Sequence, residues 1–303
     1  MKLNNLKTII ILPYFLIVFM ACNKEVQSDL KISSGAIVGG EIVKPGDNVS
    51  RSSVSIFTSK FDGSSSCSGV LISEDIVLTA AHCFTLTELF WDLSGIEVGF
   101  GVGHNDKGLT FKHKILITDV ISRSFPKEFL MLEFGYTFSD LIQYQKDESL
   151  DFSQYDIALI KLAKKAPKEY KPVSIVDHNF KLNPNDKLII TGSGKTSLGD
   201  NSSVNSIRKT NVYFVDYEKN QIKLNFKDGI GAYEGDSGGP AFLEVNNELF
   251  LVGTCYGGDD PTENDHSDRG ASYMNVSLFQ DFIIQTAKRF KVSAPVFKNP
   301  NNN

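Results

Sequence analysis

The feature that most constrains the fold is a series of short apolar stretches separated by turn residues: Val54 to Thr58, Val70 to Ile72, Ile76 to Thr79, Gly95 to Phe100 and Phe111 to Val120. Gly101, Gly103 and Asn105-Asp106-Lys107-Gly108 predict a turn between the last two. This spacing suits strands of an antiparallel barrel. The second half continues with Lys187 to Thr191, a Gly192-Ser193-Gly194 turn, Asn211 to Asp216 and Gln221 to Phe226. Ala241 to Val245 and Glu248 to Val252 flank Asn246-Asn247, a hairpin signal. Between the halves, Ala166-Pro167 and Lys171-Pro172 break the pattern, so Lys164 to Pro172 predicts a connection between two barrels, about 37–165 and 172–276. Phe279, Phe282, Ile283, Thr286 and Phe290 follow helical spacing after Ser277, a candidate cap, and predict a closing helix over 278–290. Residues 291–303 read as a flexible tail. No internal repeat is present.

Composition excludes several classes. With 303 residues, 41% hydrophobic and 22% charged, the chain is long enough for one large or two small cores and is neither disordered nor fibrous. The net charge of −5 and the lack of a sustained basic stripe argue against nucleic-acid binding. His104 and His113 are close in sequence, but no cysteine or acidic cluster accompanies them at ligand spacing. They read as surface histidines, and no metal or cofactor is expected.

Residues 1–21 form a separate piece. Lys2 and Lys7 flank a polar start, and Thr8 to Ala21 is an apolar run short for a membrane span and suited to a secretory signal. Export follows. Phe19-Met20-Ala21-Cys22 resembles the lipobox of bacterial lipoproteins, in which the cysteine is lipidated, although that motif prefers leucine where Phe19 stands. Lipidation at Cys22 in the cell envelope, ordinary signal cleavage with secretion, and an uncleaved anchor all remain open. Residues 22–36 are polar and read as a tether or pro-segment.

Gly235-Asp236-Ser237-Gly238-Gly239-Pro240 sets a serine among glycines beside an acid. A serine hydroxyl at its ordinary acidity is a poor nucleophile, so it needs a base within hydrogen-bond reach and donors for the oxyanion that forms. The glycines allow a tight turn and leave the amides of Gly235 and Ser237 open to serve as those donors. Alone, such a loop is most often an ordinary surface turn. Two other segments supply partners. Thr79-Ala80-Ala81-His82-Cys83 offers a histidine after the apolar Ile76-Val77-Leu78, and Asp156-Ile157-Ala158-Leu159-Ile160 offers an acid opening an apolar run. Nucleophile, base and orienting acid are the roles of a Ser-His-Asp triad, in the chain order His82, Asp156, Ser237. With Ile37-Val38-Gly39-Gly40 upstream, the chain from Ile37 to about Phe290 resembles the chymotrypsin/trypsin family of serine endopeptidases.

The resemblance implies an all-β fold of two antiparallel six-stranded β-barrels with a C-terminal α-helix, and peptide-bond hydrolysis through an acyl-enzyme at the seam between them. It makes Ser237 the nucleophile, His82 the general base and then acid, Asp156 the acid that fixes the imidazole, and the Gly235 and Ser237 amides the oxyanion hole. It pairs Cys67 with Cys83, a bridge worth about 3 kcal/mol. With Cys22 lipidated, Cys255 is then a free and buried thiol. It further implies that a cut after Ala36 frees the Ile37 ammonium to pair with Asp236. The expected partners are therefore protein or peptide substrates and an activating protease that does not require Arg or Lys. By the same resemblance the primary pocket has its floor at Gly231 and walls that include Ala232, Gly257 and Ala271, and Thr254-Cys255-Tyr256-Gly257 stands where a substrate pairs as an added strand. A floor without an aspartate favours cleavage after small or apolar residues, although Asp259, Asp260 and Asp268 stand in a nearby loop.

Three departures from the family pattern stand out. Tyr233 and Cys255 occupy positions where the family usually carries cysteine and serine. The 74-residue separation of His82 from Asp156 is longer than usual, the surplus being an apolar-rich stretch over 126–153 that reads either as a substrate-groove wall or as a self-packed excursion. The alternative function is a catalytically idle binding module of the same fold on the cell surface. An α/β-hydrolase elbow also fits Gly235-Asp236-Ser237-Gly238-Gly239, but that fold places its histidine after the serine, where only His266 stands, and needs alternating strands and helices.

Overall fold

The structure, a computed structural model, describes residues 37, 40–60, 63–84, 93–105, 108–123, 152–194, 206–225, 231–258 and 270–302. The signal peptide, Cys22, the tether to Ala36, residues 126–151 of the apolar stretch, Phe226, Asp259, Asp260, His266 and Asp268 lie outside the described residues.

After a two-residue strand β1 (Glu41–Ile42), six strands make the first barrel: β2 (Ser53–Lys60), β3 (Gly63–Ser73), β4 (Ile76–Thr79), β5 (Ile96–Asn105), β6 (Gly108–Ser122) and β7 (Ala158–Leu162). They close in the order β2-β3-β4-β7-β6-β5. Alternation puts Val54, Ile56, Leu71, Val77, Val98, Phe100, Ile115 and Ile160 inside. β4 is buried throughout because Val77 faces that interior while Ile76 and Leu78 face the core between the two barrels. Its unbroken apolar reading therefore reflects burial on both faces. Gly101 and Gly103, predicted to be part of a turn, instead lie inside β5, and the hairpin turns beyond Asn105, which pairs with Gly108. Gly101 adopts φ +67°, and a Cβ there would come 2.5 Å from the Tyr170 hydroxyl, so the glycine makes room for the connection between the barrels.

That connection leads to β8 (Ser174–Val176), β9 (Lys187–Gly192), β10 (Arg208–Glu218), β11 (Gln221–Asn225), β12 (Pro240–Val245), β13 (Glu248–Gly258) and β14 (Gly270–Asn275). Strands β12-β9-β10-β11-β14-β13 form the second barrel, closed by pairing of β12 with β13. Leu188, Ile190, Val212, Phe214, Ile222, Leu224, Phe250 and Tyr273 fill it. The predicted hairpin holds, with Asn246 and Asn247 at φ +52° and +64°, the turn geometry that asparagine tolerates. A third core lies between the barrels, where Val70, Ile72 and Leu159 of the first meet Phe242, Leu251 and Met274 of the second.

The closing helix α1 (Gln280–Phe290) buries Ile283, Thr286, Ala287 and Phe290, one face at helical spacing, against this third core. Ser277 does not cap it. The serine sits in a preceding 3-10 turn with its hydroxyl donating to Asn275 Oδ1 at 2.8 Å, and Phe279 occupies the N-cap position. At the other end Lys291 turns left-handed and the Val292 N–H reaches the Ala287 carbonyl at 3.2 Å, while Lys161 Nζ donates to the Phe290 carbonyl at 2.6 Å.

The segment from Lys291 onward was expected to be a flexible tail, and the structure corrects this. Strand β15 (Phe297–Lys298) pairs in parallel with β8. Phe297 packs on the inter-barrel core, and Lys298 pairs with Glu248 at 2.6 Å. A two-residue strand among prolines and asparagines has no periodic signature, so only its docking reveals it.

Candidate active site

Strands β4 and β7 pair antiparallel with Thr79 opposite Ala158. His82 lies three residues beyond Thr79 and Asp156 two residues before Ala158, so this register brings both to the same end of the barrel. The 3-10 turn Ala81–Cys83 carries the histidine. Its backbone N–H donates to Asp156 Oδ1 at 2.8 Å and its Nδ1 lies 2.6 Å from Oδ2. An ionised carboxylate only accepts, so Nδ1 carries the proton and Nε2 is left with its lone pair. Asp156 is buried, whereas the histidine side chain is 45% exposed. Burial of the ring edge is the largest single influence on His82 and pulls its pKa down, but the hydrogen bond and charge of Asp156 together outweigh it and hold the pKa above 6.5.

The Ser237 loop is tied to both barrels. Within the loop, the Asp236 N–H reaches the Tyr233 carbonyl at 2.9 Å and the Gly239 N–H reaches the Asp236 carbonyl at 2.8 Å. The Gly238 N–H donates to the Cys255 carbonyl and the Cys255 N–H to the Gly239 carbonyl, both at 2.8 Å, which fastens the loop to β13. The Ser68 N–H donates to the Ser237 carbonyl at 2.8 Å, which fastens it to β3. Gly238 has φ +76°, and a Cβ there would lie 2.1 Å from Thr79 Oγ1 and 2.7 Å from the Ala80 nitrogen. The serine loop thus lies against the segment that leads to His82. Cys67 and Cys83 are bridged, as the resemblance implied, tying that same segment to β3.

Asp236 is fully buried. Its Oδ1 accepts the Gly194 N–H at 2.8 Å, and its Oδ2 accepts the Tyr233 N–H at 2.9 Å and the Ile37 N–H at 3.3 Å. Desolvation outweighs these three bonds, and the carboxyl pKa is pushed up to about 7. Ile37 is itself buried, at φ +48°, a conformation that a β-branched residue rarely adopts.

Of the residues expected to bind substrate, Gly231 is buried, Ala232 and Tyr256 are half-buried, and the Tyr256 ring lies edge-on to the His82 ring at 6.4 Å. A Cβ built on Gly257 would meet nothing within 4 Å, so that position faces open space. Ala271 of β14 lies opposite Gly258 in the ladder. Cys255 is free and buried, and burial, followed by the charge of Asp236, raises its thiol pKa. His113 Nε2 lies within hydrogen-bond distance of Glu169 Oε1 at 3.0 Å, and among the described residues no group of three potential metal ligands occurs. The sequence reading did not pick out Ser68, Tyr233 or Gly194 as supports of the serine loop; Ser68 follows Cys67, but nothing local announces its contacts.

The fold and this geometry agree with comparisons to known proteins. Residues 37–283 match the family model described as Trypsin. The chain is 28% identical to rat granzyme B over 274 residues, which cover 86% of this chain and 94% of that protein. It is 23% identical to mouse cathepsin G over 281 residues, 89% of this chain and 91% of that protein. It is 25% identical to mouse transmembrane protease serine 11E over 83% of this chain, and spans about half of that longer relative, 54%. With two closed barrels, the His82–Asp156 pair and a family match over most of its length, this chain belongs to the trypsin family.

Proposed function

We propose that the protein is a serine endopeptidase in which Ser237, His82 and Asp156 act as a triad. The observation that carries this is the His82–Asp156 pair at 2.6 Å beside a Ser237 loop that packs on Thr79 and Ala80. Ser237 Oγ attacks the scissile carbonyl carbon as His82 Nε2 takes the hydroxyl proton, and the carbonyl π electrons move to oxygen. The Gly235 and Ser237 amides stabilise that oxyanion. Its collapse breaks the C–N bond, and the leaving nitrogen takes the proton from His82. Water then repeats the sequence on the acyl-enzyme and releases the acid. Asp156 stays ionised and steadies the imidazolium. Labelling by a fluorophosphonate probe tests this: one equivalent on the Ile37-start protein and none on Ser237→Ala is expected, and an unlabelled parent protein would sink it in favour of an idle binding module.

A cut after Ala36 supplies the active form in this proposal. In the intact chain the Ile37 nitrogen carries one hydrogen and no charge; afterwards it is an ammonium beside the buried Asp236 carboxylate, an opposite charge that the Gly194 and Tyr233 N–H groups do not supply. The φ of +48° at Ile37 supports it, since freeing the chain before Ile37 removes that backbone constraint. Were Cys22 lipidated, the same cut would release the catalytic domain from the membrane. Mass spectrometry of active envelope protein tests this, and finding Cys22 still joined to Ile37 at full activity would reject it. The neutral Gly231 floor and open Gly257 wall support cleavage after small or apolar residues. A peptide-library profile led by Arg or Lys would contradict that preference.

A further inference from the structure

We propose that Ser68, which is neither part of the triad nor an oxyanion donor, is the positioning residue that aims the Gly235 amide at the oxyanion; this rests on the serine endopeptidase reading above. Ser68 is 1% exposed and lies on β3 at the seam of the barrels. Its hydroxyl donates to the Gly235 carbonyl at 2.9 Å and accepts the Ser193 N–H at 2.9 Å. Ser193 Oγ is 3.2 Å away. Because the one Ser68 hydroxyl proton is committed to Gly235, the Ser193 hydroxyl must be the donor in that contact, and the Ser68 oxygen is then saturated with one bond given and two received.

The consequence follows from peptide planarity. The Gly235–Asp236 peptide is held at its oxygen by Ser68 and at its N–H by the Tyr233 carbonyl, 2.9 Å away. A planar unit held at both ends fixes the Gly235 Cα, leaving only ψ and φ of Gly235, the latter at +92°, to aim the Gly235 N–H. The Ser68 main chain meanwhile holds the nucleophile's own peptide through the Ser237 carbonyl at 2.8 Å, and its carbonyl accepts Thr79 Oγ1 at 2.8 Å on the strand that leads to His82. One buried residue of the first barrel therefore references both amides and the histidine segment to a common point. Without its hydroxyl, the Gly235 carbonyl and Ser193 N–H lose their partner, and the peptide is free to rotate.

The test is phosphonylation of the Ile37-start protein by a fluorophosphonate at varied probe concentration, with Ser237→Ala as the blank. Ser68→Ala is expected to lower the maximal inactivation rate about tenfold to a hundredfold, less than or comparable to loss of an oxyanion donor, and to leave the half-saturating concentration within about twofold. Ser53→Ala is the control. Ser53 Oγ pairs with Thr191 Oγ1 at 2.8 Å across the same buried seam, so its loss should lower the thermal midpoint while leaving phosphonylation within about twofold of the parent. If Ser68→Ala does not accumulate folded, Ser68→Gly is read in the same way. A parent protein that labels with a Ser68 variant that labels equally fast overturns this proposal alone, as does a Ser53→Ala loss as large as that of Ser68→Ala. A parent protein that takes no label overturns both this and the endopeptidase reading.

Discussion

His82 and Asp156 are joined twice, the backbone N–H to one carboxylate oxygen at 2.8 Å and the imidazole Nδ1 to the other at 2.6 Å. One bond places the main chain and the other orients the ring, so the carboxylate fixes both where the imidazole is and which nitrogen faces outward. Asp156→Asn should keep the fold and lower kcat/KM by about three to four orders of magnitude, because the amide N–H₂ favours the wrong imidazole tautomer. Steady-state kinetics on a cleaved peptide checks this. A loss below tenfold would mean that the pair does not serve the chemistry.

The same pair sets an acid limb. A general base must be neutral, so activity is present above the His82 pKa and lost as pH falls through it. With Asp156 in place the midpoint should lie above 6.5. In Asp156→Asn the residual activity should show a lower midpoint, since burial remains and the opposing charge is gone. A pH profile of kcat/KM with an unmoved limb would contradict this.

Asp236 should make stability depend on pH differently in the intact chain and in a form that starts at Ile37. In the intact chain its pKa rises from 3.8 to about 7, so its contribution is fully present below 3.8 and lost as pH rises through 7. At about 1.4 kcal/mol per pH unit, this is on the order of 4 kcal/mol. An Ile37 ammonium reverses the sign by favouring the carboxylate, and this holds until the amine itself deprotonates above its ordinary value of about 8. Between pH 5 and pH 8 the denaturant midpoint of the intact form should therefore fall, while that of the Ile37-start form should stay nearly level. Parallel movement would show that the Ile37 nitrogen and Asp236 are not coupled.

Gly238→Ala should cost about 3 kcal/mol or more, because the new Cβ would lie 2.1 Å from Thr79 Oγ1 at a φ of +76°. Fluorophosphonate labelling should disappear with the displaced loop. An unchanged thermal midpoint would refute the close approach of the serine loop to the histidine strand.

Truncation after Ser293 removes β15, the Phe297 contact and the Lys298–Glu248 pair. About 2 kcal/mol of stability should go with it while labelling of the remaining folded protein stays within about twofold. No change in the denaturant midpoint would return this segment to the status of a loose tail.

The sequence by itself determined the elements whose cause is local. Strand β4 is legible because an unbroken Ile76-Val77-Leu78 run suits a strand buried on both faces, and α1 because Ile283, Thr286 and Phe290 recur at helical spacing. The Asn246-Asn247 turn is legible because its backbone needs two positive φ angles, and the residues of the candidate site are legible because their chemistry demands those side chains. Tertiary structure alone decided what depends on which strands become neighbours. The Thr79–Ala158 register brings His82 to Asp156 across 74 positions of chain, closure of the two barrels sets Ser68 under Gly235, and a parallel partner turns Phe297–Lys298 into a strand. It also pushes Asp236 to a pKa of about 7, because desolvation belongs to an assembled surrounding and not to any stretch of sequence. Local pattern tells a residue which face of its strand to bury, but long-range register is fixed only when every strand of a closed barrel has found its partner.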